Sequence, residues 1–478
     1  MSSRLRLPVL LLFFLAAAAS GAKPAAPPAV GKSAKPVVAK APAPAPTPEQ
    51  TLCNDDGSVK GSSSSSTVGG GASAAMDAAE SDPRAQLQSL VQQALARSKQ
   101  VGTAQLLKLA AEADVDEAKA QRLPSVFLQG TTGHVGTIVS GITTTKGLLT
   151  RGTVTASMPI WDFGRITKLT EWRQQLSESA RYNQSNAEEQ VALQTVSLAL
   201  DRSRYNLQAQ VYGQYVRRMS CLVAALTIIT DADHGRSSEL VQAQKSLQQA
   251  QLSLDQTTSV LRQIEVRLTR FVGDKLPPPA GLSTVLSRMP DLAQAEADVV
   301  QGADVASADA QARAARSYAE SVRAGQLPSV SVQVSGDTSV GAARQTDWSG
   351  GLAVTIPLIQ PGSGATLDAA VRRAQAANLQ RDDAIEAKRY RVREMHESGT
   401  SAFDRAKSIV EILRSSESLR ASTLEQWRQL GRRSLFDVMA AESDYYSMRV
   451  AHVNALFDAE QVVAMIWSQG RGVMVPLR

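Results

Sequence analysis

At 478 residues the chain is long enough for more than one ordinary domain. Its formal charge of +6 is modest for that length, and no basic tract is interleaved with aromatics, which excludes a nucleic-acid binder. Apolar residues make up an ordinary 43% but aromatics only 4%, and Ala, Gln, Ser, Leu and Arg dominate long middle segments that favour helix.

Residues 1–22 read as a secretory signal peptide. Arg4 and Arg6 precede the apolar run Leu7 to Ala19, and Ser20-Gly21-Ala22 offers small residues for cleavage. That run is too short to span a bilayer as a helix, and no later stretch reaches the roughly 18 apolar residues needed. A membrane role must therefore use strands or an amphipathic surface. Residues 23–83 are rich in Ala, Pro, Ser and Gly, cannot bury a core, and form a disordered tail. Cys53 and Cys221 allow one disulfide at most. Gln50-Thr51-Leu52 is a poor lipidation signal, so no lipid anchor is expected.

A first structural repeat spans 84–274. Leu87, Leu90, Val91 and Leu95 recur at helical steps. After a weak point at Gly102 the pattern resumes through Leu106, Leu109, Ala113 and Ala120, and Leu123-Pro124-Ser125-Val126 ends it. The period then changes to two. Val126 and Leu128 alternate, a Gly/Thr-rich loop covers 130–152, and Val154, Ala156, Met158 and Ile160 alternate around Pro159. Between Ile166 and Thr230 there is no proline, which predicts a helix of about 100 Å. Gly235-Arg236 makes a turn, and helix returns from Leu240 to Phe271.

A linker at 275–290 leads to a second repeat at 291–470, followed by a C-terminal tail at 471–478. Met289-Pro290-Asp291-Leu292 opens a helical stretch to Gln326. Leu327-Pro328-Ser329-Val330 repeats the earlier motif at an offset of 204. Val330, Val332 and Val334 alternate, a loop covers 336–347, and Leu352, Val354, Ile356 and Leu358 alternate around Pro357, 198 residues after Pro159. After Gly364 come about 65 helical residues. The tip Gly431-Arg432-Arg433-Ser434-Leu435-Phe436-Asp437-Val438-Met439 follows, 196 residues after Gly235. The last helix carries a seam of Phe436, Met439, Ser443, Tyr446, Val450, Val453 and Phe457. Helix, strand, strand, long helical hairpin, given twice, is an internal duplication in a mostly α chain with a small β part.

His134, His234, His396 and His452 are scattered, and neither cysteine sits in a nucleophile's setting. No catalytic, cofactor-binding or metal-ligating residue is expected, and the chain is not read as an enzyme. The strands present an apolar face with no globular core to cover it. In lipid such strands must close into a barrel, and four are too few, since barrels need at least about eight. Two copies would supply eight strands and three copies twelve.

The duplicated plan, the Leu-Pro-Ser strand starts, Met289-Pro290-Asp291-Leu292 and the Gly431 tip resemble the TolC-type outer-membrane factor family over about residues 85 to 470. The resemblance implies a homotrimer with a twelve-stranded barrel in outer-membrane lipid, continued by a periplasmic α-helical barrel. It implies a periplasmic adaptor and an inner-membrane ABC or RND transporter as partners, and an exported substrate. Gly431 matches the family's turn glycine, Arg433 a basic residue that helps close the tunnel, and Asp437 an aspartate that rings the aperture. Gly235 matches the first tip's glycine, with Arg236 beside it. Ala440 and Val241 stand where the archetype has aspartates, so the closing links do not carry over whole. A carboxylate at position 437 is also what a helix start favours by itself. The wording from Gly431 to Tyr446 is similar to the branch serving type I secretion, including export of large adhesins. Drug or solute efflux is the alternative. A periplasmic coiled-coil adaptor or scaffold is the reading from another class, and it predicts hairpins without paired amphipathic strands.

Overall fold

The computed structural model describes residues 82–139, 142–278, 281–282, 285–342, 344–427 and 433–477. The expected signal peptide, the tail as far as 81 with Cys53, and the tip residues Gly431 and Arg432 lie outside them.

Helix α1 (Pro83–Arg97) starts where the Asp82 carboxylate accepts the Arg84 N–H at 3.0 Å and Pro83 occupies the first turn, which needs no donor. It buries Leu87, Leu90, Val91 and Ala94. Ser98 ends α1 and caps α2 (Lys99–Ala120) by accepting the Val101 N–H at 3.3 Å. The break thus falls at Ser98, and Gly102, the expected weak point, lies inside α2. The apolar stripe read along α2 is not its buried face. Val115 and Ala118 are buried, while Leu106, Leu107 and Leu109 are 68, 62 and 49% exposed.

Strands β1 (Ser125–Val139), β2 (Ile142–Trp161), β3 (Ser329–Gly341) and β4 (Gln345–Thr355) form one antiparallel sheet in the order β1-β2-β3-β4. Pro124 and Pro328 stand immediately before β1 and β3. The expected loops are largely strand, which corrects the sequence reading. Thr132 pairs with Thr150 and Gly136 with Lys146, and in the second hairpin Thr338 pairs with Thr346. The Gly/Thr composition suggested a loop, yet cross-strand threonine pairs such as Thr132–Thr150 (3.1 Å) and Thr338–Thr346 (3.2 Å) support pairing there. Ile356, Pro357 and Leu358 lie beyond β4, whereas Pro159 lies within β2 at a register shift between Pro159 and Trp161. A proline has no N–H to give the ladder, so a bulge is where one is tolerated.

The long helices follow the strands. Helix α3 (Arg165–Ala232) has 68 residues and is about 100 Å long. A 3₁₀ turn at His234–Arg236 leads into α4 (Ser237–Val272), which Gly273 closes at φ 110°. In the second half α5 (Leu292–Asp298), a 3₁₀ turn (Val299–Gln301) and α6 (Ala303–Ala324) replace the single helix expected to Gln326. Gly302 stands at the interruption in an extended conformation, φ -61° and ψ 137°. A Cβ there would come within 2.7 Å of Lys388 Nζ and 3.0 Å of the Gln469 carbonyl, so the chain crosses its neighbours where only glycine fits. Helix α7 (Ser363–Glu425) has 63 residues, and α8 (Leu435–Ser468) returns alongside it.

Packing gathers these elements around α3. Helix α3 lies against α2, α4, α6 and α8, and α7 lies against α6 and α8. The largest core gathers Leu87 and Val91 of α1, Val196 and Leu200 of α3, Leu268 of α4 and Phe457 of α8. Val473 and Leu477 also belong to it, at 0 and 2% exposure. The expected C-terminal tail is therefore packed. Glu189 accepts the Val473 N–H at 2.6 Å and holds it in place. Burial raises the Glu189 carboxyl above the usual range, against the opposing pull of that N–H and of Lys388.

Candidate functional site: an amphipathic sheet and two hairpin tips

Partners in an antiparallel ladder share a face, so the register sorts the side chains. Val126 pairs with Ala156 and that with Val334, while Met158 pairs with Val332 and that with Leu352. Leu128, Val154, Val354 and Trp348 belong to the same face. It is uncovered in one chain: Leu128 is 80% exposed and Trp348 85%. The opposite face carries Ser125, Gln129, Thr153, Ser157, Ser331, Gln333, Ser335 and Asp337, with Phe127, Val135 and Leu149 as apolar exceptions. Its hydroxyls pair across strands, Ser125 with Ser157 at 3.0 Å and Ser335 with Ser349 at 2.8 Å. Arg151 lies 3.9 Å from Asp337. One face suits lipid and the other suits water. β1 and β4 each have one unpaired edge in the single chain.

At the far ends of the long helices stand the two tips. Asp233 closes α3 and accepts the Gly235 N–H at 3.0 Å. The Arg236 Nε lies 3.8 Å from Glu239 Oε2, a local pair, and Val241 is 64% exposed. At the second tip Ser434 and Asp437 form a capping box. The Asp437 N–H donates to Ser434 Oγ at 3.3 Å and the Ser434 N–H to Asp437 Oδ2 at 3.2 Å. Arg433 reaches Gln426 at 3.3 Å and Asp437 at 3.9 Å. The chain thus brings Arg433 and Asp437 together. No hydrogen bond or ion pair among the described residues joins Arg236 to them.

The tips nevertheless share a core. Met219 and Leu226 of α3, Ala243 of α4, and Leu435, Val438 and Met439 of α8 form one apolar cluster. The expected seam on α8 holds at Met439, Tyr446 and Phe457, which are buried, and fails at Phe436, which is 48% exposed, and at Ser443, which is also exposed. Leu435, Val438 and Glu442 are buried beside it.

Glu442 exposes a buried ionic junction that the sequence reading missed. Arg218 Nε donates to its Oε1 at 2.9 Å, and Arg420 Nη1 lies 3.6 Å from its Oε2. The three side chains come from α3, α7 and α8 and are 2 to 9% exposed. Tyr445 lies under Arg420 at 4.5 Å, and the Tyr215 and Tyr446 rings are 4.9 Å apart. The usable signal was an acid at a seam position, since 435, 438, 442 and 446 keep helical spacing. Glu460, also missed, is fully buried on α8, and neither carboxylate oxygen has a hydrogen-bond partner among the described residues. Burial pushes its carboxyl up to about 8. No group of His, Cys, Asp or Glu among the described residues could hold a metal, and no described helix is long and apolar enough to cross a membrane.

A sheet with one lipid-compatible face, continued by helices of about 100 Å, fits a membrane protein whose strands meet lipid and whose helices stand in water. The chain matches the family described as outer membrane efflux protein over residues 90–274 and 299–464, and it belongs to that family. The family is one of transport channels, not enzymes. No curated relative matches the sequence. Among solved structures, CusC is 18% identical, with 80% of this chain and 92% of that one covered, at a TM-score of 0.71. The outer-membrane channel OprN is 18% identical over 81% and 90% at 0.69. VceC from Vibrio cholerae is 16% identical over 81% and 97% at 0.69. These likenesses are of fold.

Proposed function

We propose that the protein is the outer-membrane exit duct of a tripartite export system. Three chains contribute four strands each to one twelve-stranded barrel, and their long helices form a tunnel across the periplasm. The observation that carries this reading is the four-stranded sheet, apolar on one face, polar on the other, with two free edges. β4 of one chain meets β1 of the next, which leaves no edge strand in lipid. A periplasmic adaptor and an inner-membrane ABC or RND transporter complete the system and supply energy. The two repeats, 84–274 and 291–470, act as the structural domains of this duct.

The gate lies at the tips. A three-fold ring of Asp437 around the aperture attracts cations and repels like-charged solutes. Gly235, Arg236, Gly431, Arg432 and Arg433 flank the parts that separate on opening. With Ala440 and Val241 in place of acids, this gate is wired differently from the family archetype. The cargo is a secreted protein of type I secretion, a large adhesin among the candidates, on the wording of the Gly431 tip. Solute or drug efflux is the second reading, favoured by the family description itself. Deleting the gene separates them: lost secretion of a protein with unchanged drug tolerance is expected. A normal secretome with lost drug tolerance overturns the secretion reading in favour of efflux.

A further inference from the structure

At the junction of β2 and α3, on the apolar face, Arg122, Met158, Ile160, Trp161, Phe163 and Thr167 line an open groove. The helices continue from this end of the strands, so the groove lies at the periplasm-facing edge of the membrane. The register shift after Pro159 sets Trp161 opposite Val330, on the apolar face. Trp161 and Phe163 meet edge to face, 5.8 Å between centroids, and remain 59 and 50% exposed. Phe163 adopts φ 52°, the one non-glycine residue with positive φ among those described. A bulky residue held in that strained region keeps an exposed ring in place. Arg122 donates to the Thr167 hydroxyl at 2.6 Å and makes no ion pair among the described residues. Asp162 is the only acidic residue in the lining, and its two oxygens take the Gly164 and Ile166 N–H groups at 3.0 and 2.7 Å.

The duplication supplies an internal comparison. The second repeat keeps the same turn, with Gly362 at φ 85° matching Gly164 at φ 86°, each capping a long helix. It does not keep the groove's chemistry. Gln326 stands at the place of Arg122 and donates to the Ser363 carbonyl at 2.8 Å, while Ile359 and Pro361 stand at the places of Trp161 and Phe163. The charge and both rings are present in one repeat and absent together from the other. Shared folding requirements of the two repeats therefore do not account for them.

The geometry points to a binding site for one anionic phospholipid per chain, with the headgroup phosphate on Arg122, the glycerol region against the exposed faces of the Trp161–Phe163 pair, and an acyl chain along Met158 and Ile160. Aromatic rings settle at the headgroup level, and a cation there attracts anionic lipid. The site rests on the outer-membrane placement of the sheet and on nothing about the cargo or the gate.

The test uses the full-length protein in nanodiscs of equimolar phosphatidylglycerol and phosphatidylcholine, followed by native mass spectrometry of the retained lipid. The wild type should retain phosphatidylglycerol about fivefold over phosphatidylcholine, the factor one interfacial arginine is worth. Arg122→Gln should abolish that preference and Arg122→Lys should keep most of it. Gln326→Arg, which adds charge without the rings, should not raise it. Undiminished preference in Arg122→Gln, or a matching gain in Gln326→Arg, overturns the site. Excess inorganic phosphate that displaces the lipid completely would make free phosphate the occupant and overturn the lipid assignment. Failure of the protein to enter nanodiscs at all contradicts the membrane placement, whereas inserted protein without lipid preference contradicts this site alone.

Discussion

Glu460 carries the clearest pH dependence at the residue scale. Its carboxyl is fully buried, has no hydrogen-bond partner among the described residues, and is pushed up to about 8 against an ordinary 4.5. Below about pH 4.5 it is protonated in the folded and unfolded chain alike and adds no pH-dependent cost. As pH rises, the unfolded carboxyl ionises while the folded one keeps its proton, and stability falls by about 1.4 kcal/mol per unit. The loss levels off above pH 8, at roughly 5 kcal/mol. Glu460→Gln should therefore raise the thermal midpoint at pH 9 and change it little at pH 5. A variant with the wild-type pH slope contradicts this assignment. Asp437 is different, because its carboxylate already caps α8 and pairs loosely with Arg433. Asp437→Asn should cut cation selectivity of the open channel, and unchanged selectivity would leave it a helix-start residue. Arg433 and Asp437 were legible because they sit beside a glycine break in a long helical pattern. Glu460 was not legible, since one acid in an Ala-rich helix looks like a solvated residue until the surrounding helices are placed.

At the scale of elements, the ionic junction of Arg218, Glu442 and Arg420 ties three helices above the tips. Removing the carboxylate leaves two guanidinium groups buried without a counter-charge, a loss of about 3–5 kcal/mol. Glu442→Gln should speed amide hydrogen exchange in the first turns of α8 by a hundredfold or more, with the sheet unaffected. Uniform exchange across the molecule, or none gained at α8, would deny the junction this local role. A second contact fixes the middle of α7. A Cβ on Gly399 would come within 2.9 Å of Met289 Sδ and 3.0 Å of Val462 Cγ1. Gly399→Val should cost about 1–3 kcal/mol through overpacking, and Met289→Ala should restore part of the loss in a thermal melt. Absence of that rescue would place the strain elsewhere. The long helices and the Gly235 turn were readable from period and from glycine. The outer ends of the strands were not, because Gly and Thr signal a loop in isolation and become strand only once their partners are known. The seam of α8 was read one residue off at its start, since Phe436 is the larger apolar residue but Leu435 faces the core.

At the scale of the whole molecule, one chain leaves much apolar surface unsatisfied. The uncovered sheet face accounts for part of it. Further exposed leucines lie on α2 and α7, at Leu106, Leu109, Leu379 (69% exposed) and Leu419 (54%). Exposed leucines on these two helices fit side-by-side association of copies, in the same sense as the free edges of β1 and β4. The duplication was legible in the sequence, from matched Leu-Pro-Ser starts, and four strands that cannot close alone raise the expectation of several copies. The trimer is what the family resemblance implies. The most direct test of the duct is planar-bilayer recording of the full-length protein purified from outer membranes as a heat-modifiable species. The account predicts trimers that insert and conduct ions in discrete steps. A water-soluble product that conducts nothing would contradict it.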